Sequence, residues 1–232
     1  YRRGEADVSA EVVALYRELE LDGIVAIGGD GTMTIAHGLS ERGLRFVGVP
    51  KTIDNDIWGT EHTLGFDTAV HVATEAIDRL HTTAQSHHRV MICETMGRYA
   101  GWIALYAGVA AGADVILIPE LPFDIEVVAE VCRERESDGR RFTIIVVAEG
   151  ARPEGGAMHV HTQVPESPDP LRLGGIGYEV ERQLRERLRS EVRTTVLGHV
   201  QRGGTPTPYD RNLASVFGSS RALRPYGGAA RR

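Results

Sequence analysis

The sequence predicts an α/β fold in which mainly parallel sheets are flanked by helices. Short apolar runs alternate with helix-like segments along nearly the whole chain. The apolar runs are continuous, which is typical of parallel strands that are buried on both faces. Polar and glycine-rich residues collect directly after these runs. Because parallel sheets bind ligands beyond the carboxyl ends of their strands, the functional residues are expected there.

Periodicity gives the order of the elements. The first helix, for example, places Val8, Val12, Leu15 and Leu19 on one face. The predicted helices span 8–21, 32–42, 66–85, 99–111, 125–135 and 176–188. The predicted strands span 23–27, 46–49, 90–93, 115–118, 142–148 and 194–197. Residues 151–174, which are rich in Pro, Gly and His, predict a loop with a short hairpin, and residues 224–232 predict an irregular tail.

The composition narrows the classes of function. The chain has 232 residues, of which 42% are hydrophobic and 25% are charged, as in ordinary globular proteins. A net charge of −6 provides no basic field, so we expect no nucleic-acid partner. No apolar stretch is long enough to cross a bilayer, so we expect no membrane partner and a cytoplasmic location. Cys93 and Cys132 are too few for a disulfide framework and are expected to be inert thiols.

The first motif is Gly28-Gly29-Asp30-Gly31-Thr32, between a predicted strand and a predicted helix. Glycines let the backbone approach a phosphate closely, and the helix N-terminus offers free N–H groups. Asp30 adds a hard oxygen that suits the Mg²⁺ ion of a nucleoside triphosphate. The motif predicts a phosphate-donor site and leaves the acceptor open. The alternative is a plain strand-to-helix turn that Thr32 caps.

The second motif covers residues 50–56, with the sequence Pro-Lys-Thr-Ile-Asp-Asn-Asp, directly after the strand 46–49. It crowds two carboxylates, an amide, a hydroxyl and an ammonium into seven positions. A plain turn needs only one or two such residues. A carboxylate placed against a hydroxyl can accept its proton as a phosphoryl group arrives, so this motif predicts a catalytic base.

Two further motifs supply cations. Residues 96–101, Met-Gly-Arg-Tyr-Ala-Gly, place Arg98 at a helix start, where a guanidinium can face a phosphoryl group. The alternative is a surface ion pair of Arg98 with Glu94 or Glu120. In residues 193–204, a strand is framed by Arg193, His199 and Arg202, which can together hold a phosphate dianion. Two more candidates at strand ends, either of which can equally be an ordinary surface charge, are Glu149 and Arg89.

The four motifs, in this order, resemble the phosphofructokinase family over residues 23–218. The resemblance implies a phosphofructokinase-like two-lobed fold. It implies an incomplete domain over 1–232 that lacks both termini, because the family's amino-terminal glycine loop and final helices have no counterpart here. Residues 1–65 would belong to the donor-binding lobe, 66–200 mostly to the sugar-phosphate lobe, and 201–232 would return towards the first lobe.

The resemblance also implies roles for single residues. Asp54 looks like the catalytic base that takes the proton from the 1-hydroxyl of fructose 6-phosphate, and Asp30 looks like the carboxylate associated with Mg²⁺. The donor loop corresponds to Gly29, Asp30, Gly31 and Thr32. The residues at the transferred phosphoryl group correspond to Lys51, Thr52 and Arg98. The acceptor site corresponds to Thr52, Ile53, Asp54, Met96, Gly97, Arg98, Glu149, His199, Val200, Gln201 and Arg202.

The assembly and the donor follow from the same resemblance. Arg89 and Arg193 match arginines that family members lend to a neighbouring subunit, so we expect a homo-oligomer, a dimer or a tetramer, with a shared sugar site. Family members that use pyrophosphate typically carry Asp at the position of Gly31 and Lys at that of Lys51, whereas the usual bacterial ATP enzymes carry Gly at both. We expect ATP, because Gly31 leaves room for an α-phosphate that a carboxylate at this position would repel, whereas Lys51 does not block ATP. A pyrophosphate-dependent enzyme and an inactive sugar-phosphate-binding fragment are the alternatives.

Overall fold

A computed structural model describes residues 2, 3, 6–164 and 170–222 of the chain. The predicted tail at 224–232 lies outside the described residues. The chain divides into two compact units. The first unit contains the described residues up to Thr52, then Asp56–Leu64, and then those from Pro208 onward. The second unit contains Ile53–Asn55 and Gly65–Thr207.

Strands and helices alternate along most of the described chain. In order they are β1 (Arg2–Arg3), β2 (Ala6–Asp7), α1 (Ser9–Glu18), β3 (Ile24–Gly28), α2 (Asp30–Ser40), β4 (Phe46–Pro50), α3 (Phe66–His87), β5 (Val90–Thr95), α4 (Trp102–Ala110), β6 (Val115–Leu117), α5 (Ile125–Ser137), β7 (Thr143–Ala148), β8 (Val160–Gln163), β9 (Leu171–Leu173), α6 (Ile176–Arg185), β10 (Val192–Val196) and α7 (Pro208–Ala222). A 3₁₀ helix over Gly198–Arg202 separates β10 from α7.

The first unit contains a parallel pair of strands. β3 and β4 run side by side, with Ile24 opposite Phe46 and Gly28 opposite Pro50. Helix α2 follows β3 and packs against both strands. This register brings the residues that follow β3 and β4 to the same edge, because parallel strands have their carboxyl ends together.

The second unit is built on a four-stranded parallel sheet in the order β10-β5-β7-β6. Every residue of β5 and β7 is buried, as the continuous apolar runs predict. Helices α3 and α4 cover one face, where Ile77 and Ile103 pack with Cys93 and Val146. The apolar residues of α5 and α6 cover the other face. The prediction of an α/β fold with parallel sheets flanked by helices is therefore confirmed.

The structure differs from the sequence prediction at several element ends. Helix α4 begins at Trp102 rather than near 99, because residues 97–100 form a turn that the Ala100 N–H closes on the Gly97 carbonyl, and Gly101 is the N-cap. Helix α7 was not predicted, although Pro208 at its first position is a common way to open a helix. The predicted hairpin forms from β8 and β9.

No helix within the described residues is both long and apolar enough to cross a membrane. Both cysteines are free and buried. Burial raises the pKa of the Cys93 thiol to about 12 and that of Cys132 to about 11. Protonated, buried thiols of this kind are unreactive.

Candidate active site

The glycine motif forms a loop at the amino end of helix α2. Gly28 ends β3, Gly29 caps α2, and the N–H groups of Thr32 and Met33 donate to the Gly29 carbonyl. A Cβ on Gly28 would lie 2.2 Å from Thr32 Oγ1, so the loop needs glycine there. A Cβ on Gly31 would have no atom within 4 Å, so this position faces open space in its unit. The loop is thus a glycine turn that leads directly into a helix N-terminus, where free N–H groups can bind an anion.

Lys51 and Thr52 lie at the same edge of the first unit. The Lys51 N–H donates to the Gly28 carbonyl at 2.9 Å, and a Cβ on Gly29 would lie 3.3 Å from Thr52 Cβ. Thr63 fixes the backbone here, because its hydroxyl donates to the Thr52 carbonyl at 2.8 Å. The parallel pairing of β3 and β4 thus places part of the second motif beside the glycine loop.

The carboxylate of Asp30 is the candidate ligand for Mg²⁺ in the first unit. Asp30 is exposed in the first turn of α2. The described residues contain no group of three or more His, Cys, Asp and Glu side chains that could hold a metal ion. A single exposed carboxylate fits an ion that arrives with a polyphosphate, because Mg²⁺ is usually held by one or two carboxylates together with substrate phosphates and water.

The second unit contains a cavity of about 990 Å³ at the carboxyl end of its sheet. Pockets that bind small molecules commonly fall in a range of roughly 300–1,000 Å³. The cavity gathers residues from three of the four motifs, together with the candidate at the end of β7. The predicted site residues that line it are Asp54, Met96, Arg98, Glu149, His199 and Arg202.

Glu149 binds the turn that carries Arg98. Its Oε1 accepts the Arg98 N–H at 2.9 Å and the Gly97 N–H at 3.3 Å. Burial raises the pKa of the Glu149 carboxyl, and the charges of Asp54 and Glu94 raise it further, while the two N–H groups act in the opposite direction. The site therefore contains a carboxyl group that holds its proton more strongly than usual.

Glu94 is a buried residue that lines the cavity, whereas the sequence predicts it only as an alternative surface partner of Arg98. Its carboxylate accepts the Gly175 N–H at 2.8 Å and the Gly177 N–H at 2.7 Å, at the amino end of α6. Glu120 similarly accepts the Gly101 N–H at 2.9 Å, at the amino end of α4. Both carboxylates considered as surface partners of Arg98 therefore bind helix N-termini.

The 3₁₀ helix is attached to the cavity floor by Gln201. The buried Gln201 side chain accepts the Met96 N–H at 3.3 Å and donates to the Gly198 carbonyl at 3.1 Å. This contact places His199 and Arg202, on the same short helix, at the cavity wall. The other acceptor-site predictions are not among the residues that line the cavity, namely Thr52, Ile53, Gly97, Val200 and Gln201. Ile53 packs against the core and Val200 is exposed.

Arg89 and Arg193 do not line the cavity either. Arg89 precedes β5, and its Nε donates to Glu191 Oε2 at 2.5 Å. Arg193 pairs with the other oxygen of the same carboxylate. The structure describes a single chain, so their expected role in a neighbouring subunit stays a prediction.

One wall of the cavity was missed by the sequence analysis. It consists of the β8–β9 hairpin and the start of α6, and includes His159, His161, Arg172, Leu173, Tyr178 and Arg182. His159 is fixed there by a 2.7 Å contact between its Nδ1 and the Gly174 carbonyl. The only sequence signal was the Gly174-Gly175 pair between two polar segments, where both residues adopt positive φ.

The fold and the cavity define an α/β protein with a polar ligand site at the carboxyl end of a parallel sheet, and comparison with known proteins gives its family. The family described as Phosphofructokinase matches residues 2–223. This chain belongs to the phosphofructokinase family.

Individual relatives agree with this assignment. An ATP-dependent 6-phosphofructokinase 2 of Clostridium perfringens is 54% identical over 213 residues, which are 91% of this chain and 58% of the relative. A pyrophosphate–fructose 6-phosphate 1-phosphotransferase of Amycolatopsis methanolica is 53% identical over 208 residues, which are 90% of this chain and 61% of the relative. The chain thus spans about three-fifths of the length of these relatives.

A solved structure shows the same fold. The phosphofructokinase of Pichia pastoris in the T-state matches with a TM-score of 0.77 and 33% identity. The match covers 92% of this chain and 23% of the Pichia chain. The predicted phosphofructokinase-like fold is confirmed, whereas the assignment of donor and sugar lobes to residue ranges stays a prediction.

Proposed function

We propose that the protein is a 6-phosphofructokinase that transfers a phosphoryl group from ATP to the 1-hydroxyl of fructose 6-phosphate and forms fructose 1,6-bisphosphate. One observation carries the proposal: the cavity brings together Asp54, Arg98, Glu149, His199 and Arg202, which are far apart in the sequence. This set contains a base, a phosphoryl-binding cation and a phosphate-binding pair. The names of the curated relatives support the same reaction.

The acceptor is held by the second unit. His199 and Arg202 bind the 6-phosphate, since the N–H groups of an imidazole and a guanidinium both donate to phosphate oxygens. Glu149 and the turn at Met96 and Gly97 contact the sugar. Asp54 accepts the proton of the 1-hydroxyl as the bond to phosphorus forms, which keeps the attacking oxygen nucleophilic.

The donor is held by the loop Gly29–Thr32 of the first unit. Its backbone N–H groups, at the start of α2, bind the donor phosphates. Asp30 would hold Mg²⁺ together with the donor, and the ion would neutralise phosphate charge. Lys51 donates to the oxygens of the donor's terminal phosphate, and Thr52 adds a hydroxyl. These groups position the reactants and stabilise charge, which is most of what phosphoryl transfer requires.

ATP is the proposed donor rather than pyrophosphate. The open space at Gly31 supports this choice, because a nucleotide needs room for a further phosphate and for its sugar. Relatives named for ATP and for pyrophosphate are about equally identical to this chain, at 54% and 53%. Lys51 and the Amycolatopsis relative make pyrophosphate the second candidate.

The working form is proposed to be a cytoplasmic homo-oligomer, either a dimer or a tetramer. Arg89 and Arg193 point to this form, because they lie outside the cavity of their own chain. In the oligomer, both would contribute to the sugar site of a neighbouring subunit. The two buried free thiols suit a reducing compartment.

The test is product formation from fructose 6-phosphate and Mg²⁺, with ATP and pyrophosphate supplied in parallel to the purified protein. We expect fructose 1,6-bisphosphate with ATP. Product with pyrophosphate alone would reverse the donor assignment. Absence of product with both donors, from a folded sample that still binds fructose 6-phosphate in calorimetry, would favour the sugar-phosphate-binding fragment.

A further inference from the structure

Arg98 has a backbone conformation that an arginine rarely adopts. Its φ is 56°, and the preceding Gly97 has a φ of 141°. The Ala100 N–H closes the turn by donating to the Gly97 carbonyl at 3.0 Å. A non-glycine residue in the left-handed region is strained, and such a residue persists only where its surroundings hold it. The contacts that hold the Arg98 backbone therefore determine the direction of its Cα–Cβ bond.

One contact acts on the N–H side of the turn. Glu149 Oε1 accepts the N–H groups of both Gly97 and Arg98, at 3.3 Å and 2.9 Å. The carboxylate is placed for this by the end of β7, because the Glu149 N–H donates to the Thr95 carbonyl at 2.8 Å. Bonds from backbone N–H groups to a carboxylate are stronger than neutral hydrogen bonds.

The next residue acts on the carbonyl side of the same turn. Gly150 is buried, and a Cβ built on it would lie 2.1 Å from the Arg98 carbonyl oxygen and 3.2 Å from the carbonyl carbon. The obstructing atoms are backbone, so a side chain at 150 would have to displace the Arg98 peptide. Gly150 itself is absent from the residues with positive φ. Glycine is therefore required at 150 because a side chain has no space there, and not because the backbone needs a positive φ.

We propose that Glu149 and Gly150 together are positioning residues that fix the backbone of Arg98 and thereby aim its guanidinium at the transferred phosphoryl group. The Glu149 carboxylate accepts the Arg98 N–H, and Gly150, which has no side chain, leaves space for the Arg98 carbonyl. This inference rests on the proposed function, in which Arg98 contacts the phosphoryl group. Gly150 has no polar side chain and is not itself a catalytic residue.

The first experiment is a double-mutant cycle on turnover. We expect Gly150→Ala to lower kcat about 10- to 100-fold, because a shift of about 1 Å in a positioning group costs that much. The KM for fructose 6-phosphate should change much less. In an Arg98→Ala background, Gly150→Ala should have almost no further effect on kcat, since the residue acts through Arg98. Equal losses in both backgrounds, or no loss in the wild type, would overturn the proposal.

A matched control separates this effect from a general response to an added methyl group. Gly218→Ala adds the same group in helix α7, at a position where a Cβ meets no atom within 4 Å. We expect it to leave kcat and KM unchanged. A loss of kcat in this control as large as that of Gly150→Ala would also overturn the proposal.

The second experiment does not depend on turnover. Hydrogen exchange measured by NMR should show the Arg98 amide exchanging about tenfold faster or more in Gly150→Ala than in the wild type or in Gly218→Ala. If Gly150→Ala does not fold, Glu149→Gln, which keeps the volume, should still speed the exchange of this amide. Unchanged exchange would refute the positioning role even if the enzyme is active. Faster exchange in a protein that makes no product would support the positioning role while the proposed function fails.

Discussion

The carboxylate of Glu94 accepts the backbone N–H of Gly177 at 2.7 Å and so attaches the end of β5 to the first turn of α6. Glu94 is almost fully buried, at 2% exposure. A Cβ on Gly177 would lie only 3.1 Å from the same carboxylate, so the close approach depends on glycine. One wall of the cavity is thus joined to the sheet through a buried carboxyl group at a helix N-terminus.

We expect Glu94→Gln to lower the free energy of unfolding by about 2 kcal/mol, because an amide donor would then face a buried backbone N–H. Urea denaturation followed by circular dichroism measures this change. The control is Glu130→Gln on the exposed side of α5, which should change the free energy of unfolding by less than about 0.5 kcal/mol. Equal stability of the two variants would show that the Glu94 carboxylate contributes nothing to this attachment.

Asp54 is the proposed base, and its replacement separates catalysis from binding. We expect Asp54→Asn to lower kcat by about 10²- to 10⁴-fold, because the amide cannot take the proton of the 1-hydroxyl. The dissociation constant for fructose 6-phosphate, measured by calorimetry, should change little. Asp138→Asn, at an exposed position after α5, is the matched control. A similar kcat for Asp54→Asn and wild type would remove Asp54 from the mechanism.

Much of the fold could be predicted from the sequence. Strands β5 and β7 are continuous apolar runs, and such runs predict a sheet covered on both faces, independently of the loop conformations. The parallel direction of the strands also predicts that motif residues directly after neighbouring strands lie close together. Arg98 and Glu149 do line one cavity, because they follow the neighbouring parallel strands β5 and β7, whose carboxyl ends lie at one edge. Asp54 lines the same cavity although β4 belongs to a different sheet, so this reasoning does not account for its position.

The remainder depends on tertiary contacts that leave no local signal. In the sequence, Glu94 looks like an ordinary charged residue at the end of a strand. It becomes a buried hydrogen-bond acceptor only because α6 packs beside it. His161 and Arg172 look like ordinary loop residues until β8 pairs with β9. The left-handed φ of Arg98 could not be predicted either, because it is imposed by Glu149 and Gly150, which lie 51 and 52 positions away in the chain.

The preference for ATP can be tested at Gly31. We expect Gly31→Asp to lower kcat/KM for ATP at least about tenfold, because a carboxylate placed at the phosphate loop repels the donor phosphates. Initial rates at varied ATP and varied pyrophosphate measure the change. Gly38→Asp introduces the same charge further along α2, again with no atom within 4 Å of the Cβ, and should leave kcat/KM for ATP nearly unchanged. Equal use of ATP by wild type and Gly31→Asp would contradict the role given to this glycine.

The pH dependence of the reaction should depend on Glu149. Burial raises the pKa of this carboxyl, and the charges of Asp54 and Glu94 raise it further. Below the raised pKa, Glu149 is protonated and accepts less strongly from the N–H groups of Gly97 and Arg98, so the turn at Arg98 loosens. We therefore expect kcat/KM for fructose 6-phosphate to fall with decreasing pH, starting at a higher pH than an ordinary glutamate would give.

Replacement of Glu149 tests this assignment of the acid limb. Glu149→Gln should have a lower maximal rate, because an amide accepts less strongly from the N–H groups of Gly97 and Arg98. The variant has no titrating group at this position, so the acid limb of its pH profile should move to lower pH. The control Glu154→Gln, at an exposed position five residues further along the chain, should keep the wild-type limb. An acid limb at the same pH in wild type and Glu149→Gln would mean that another group titrates there, with Asp54 the first to examine, because it lines the same cavity and its charge acts on Glu149.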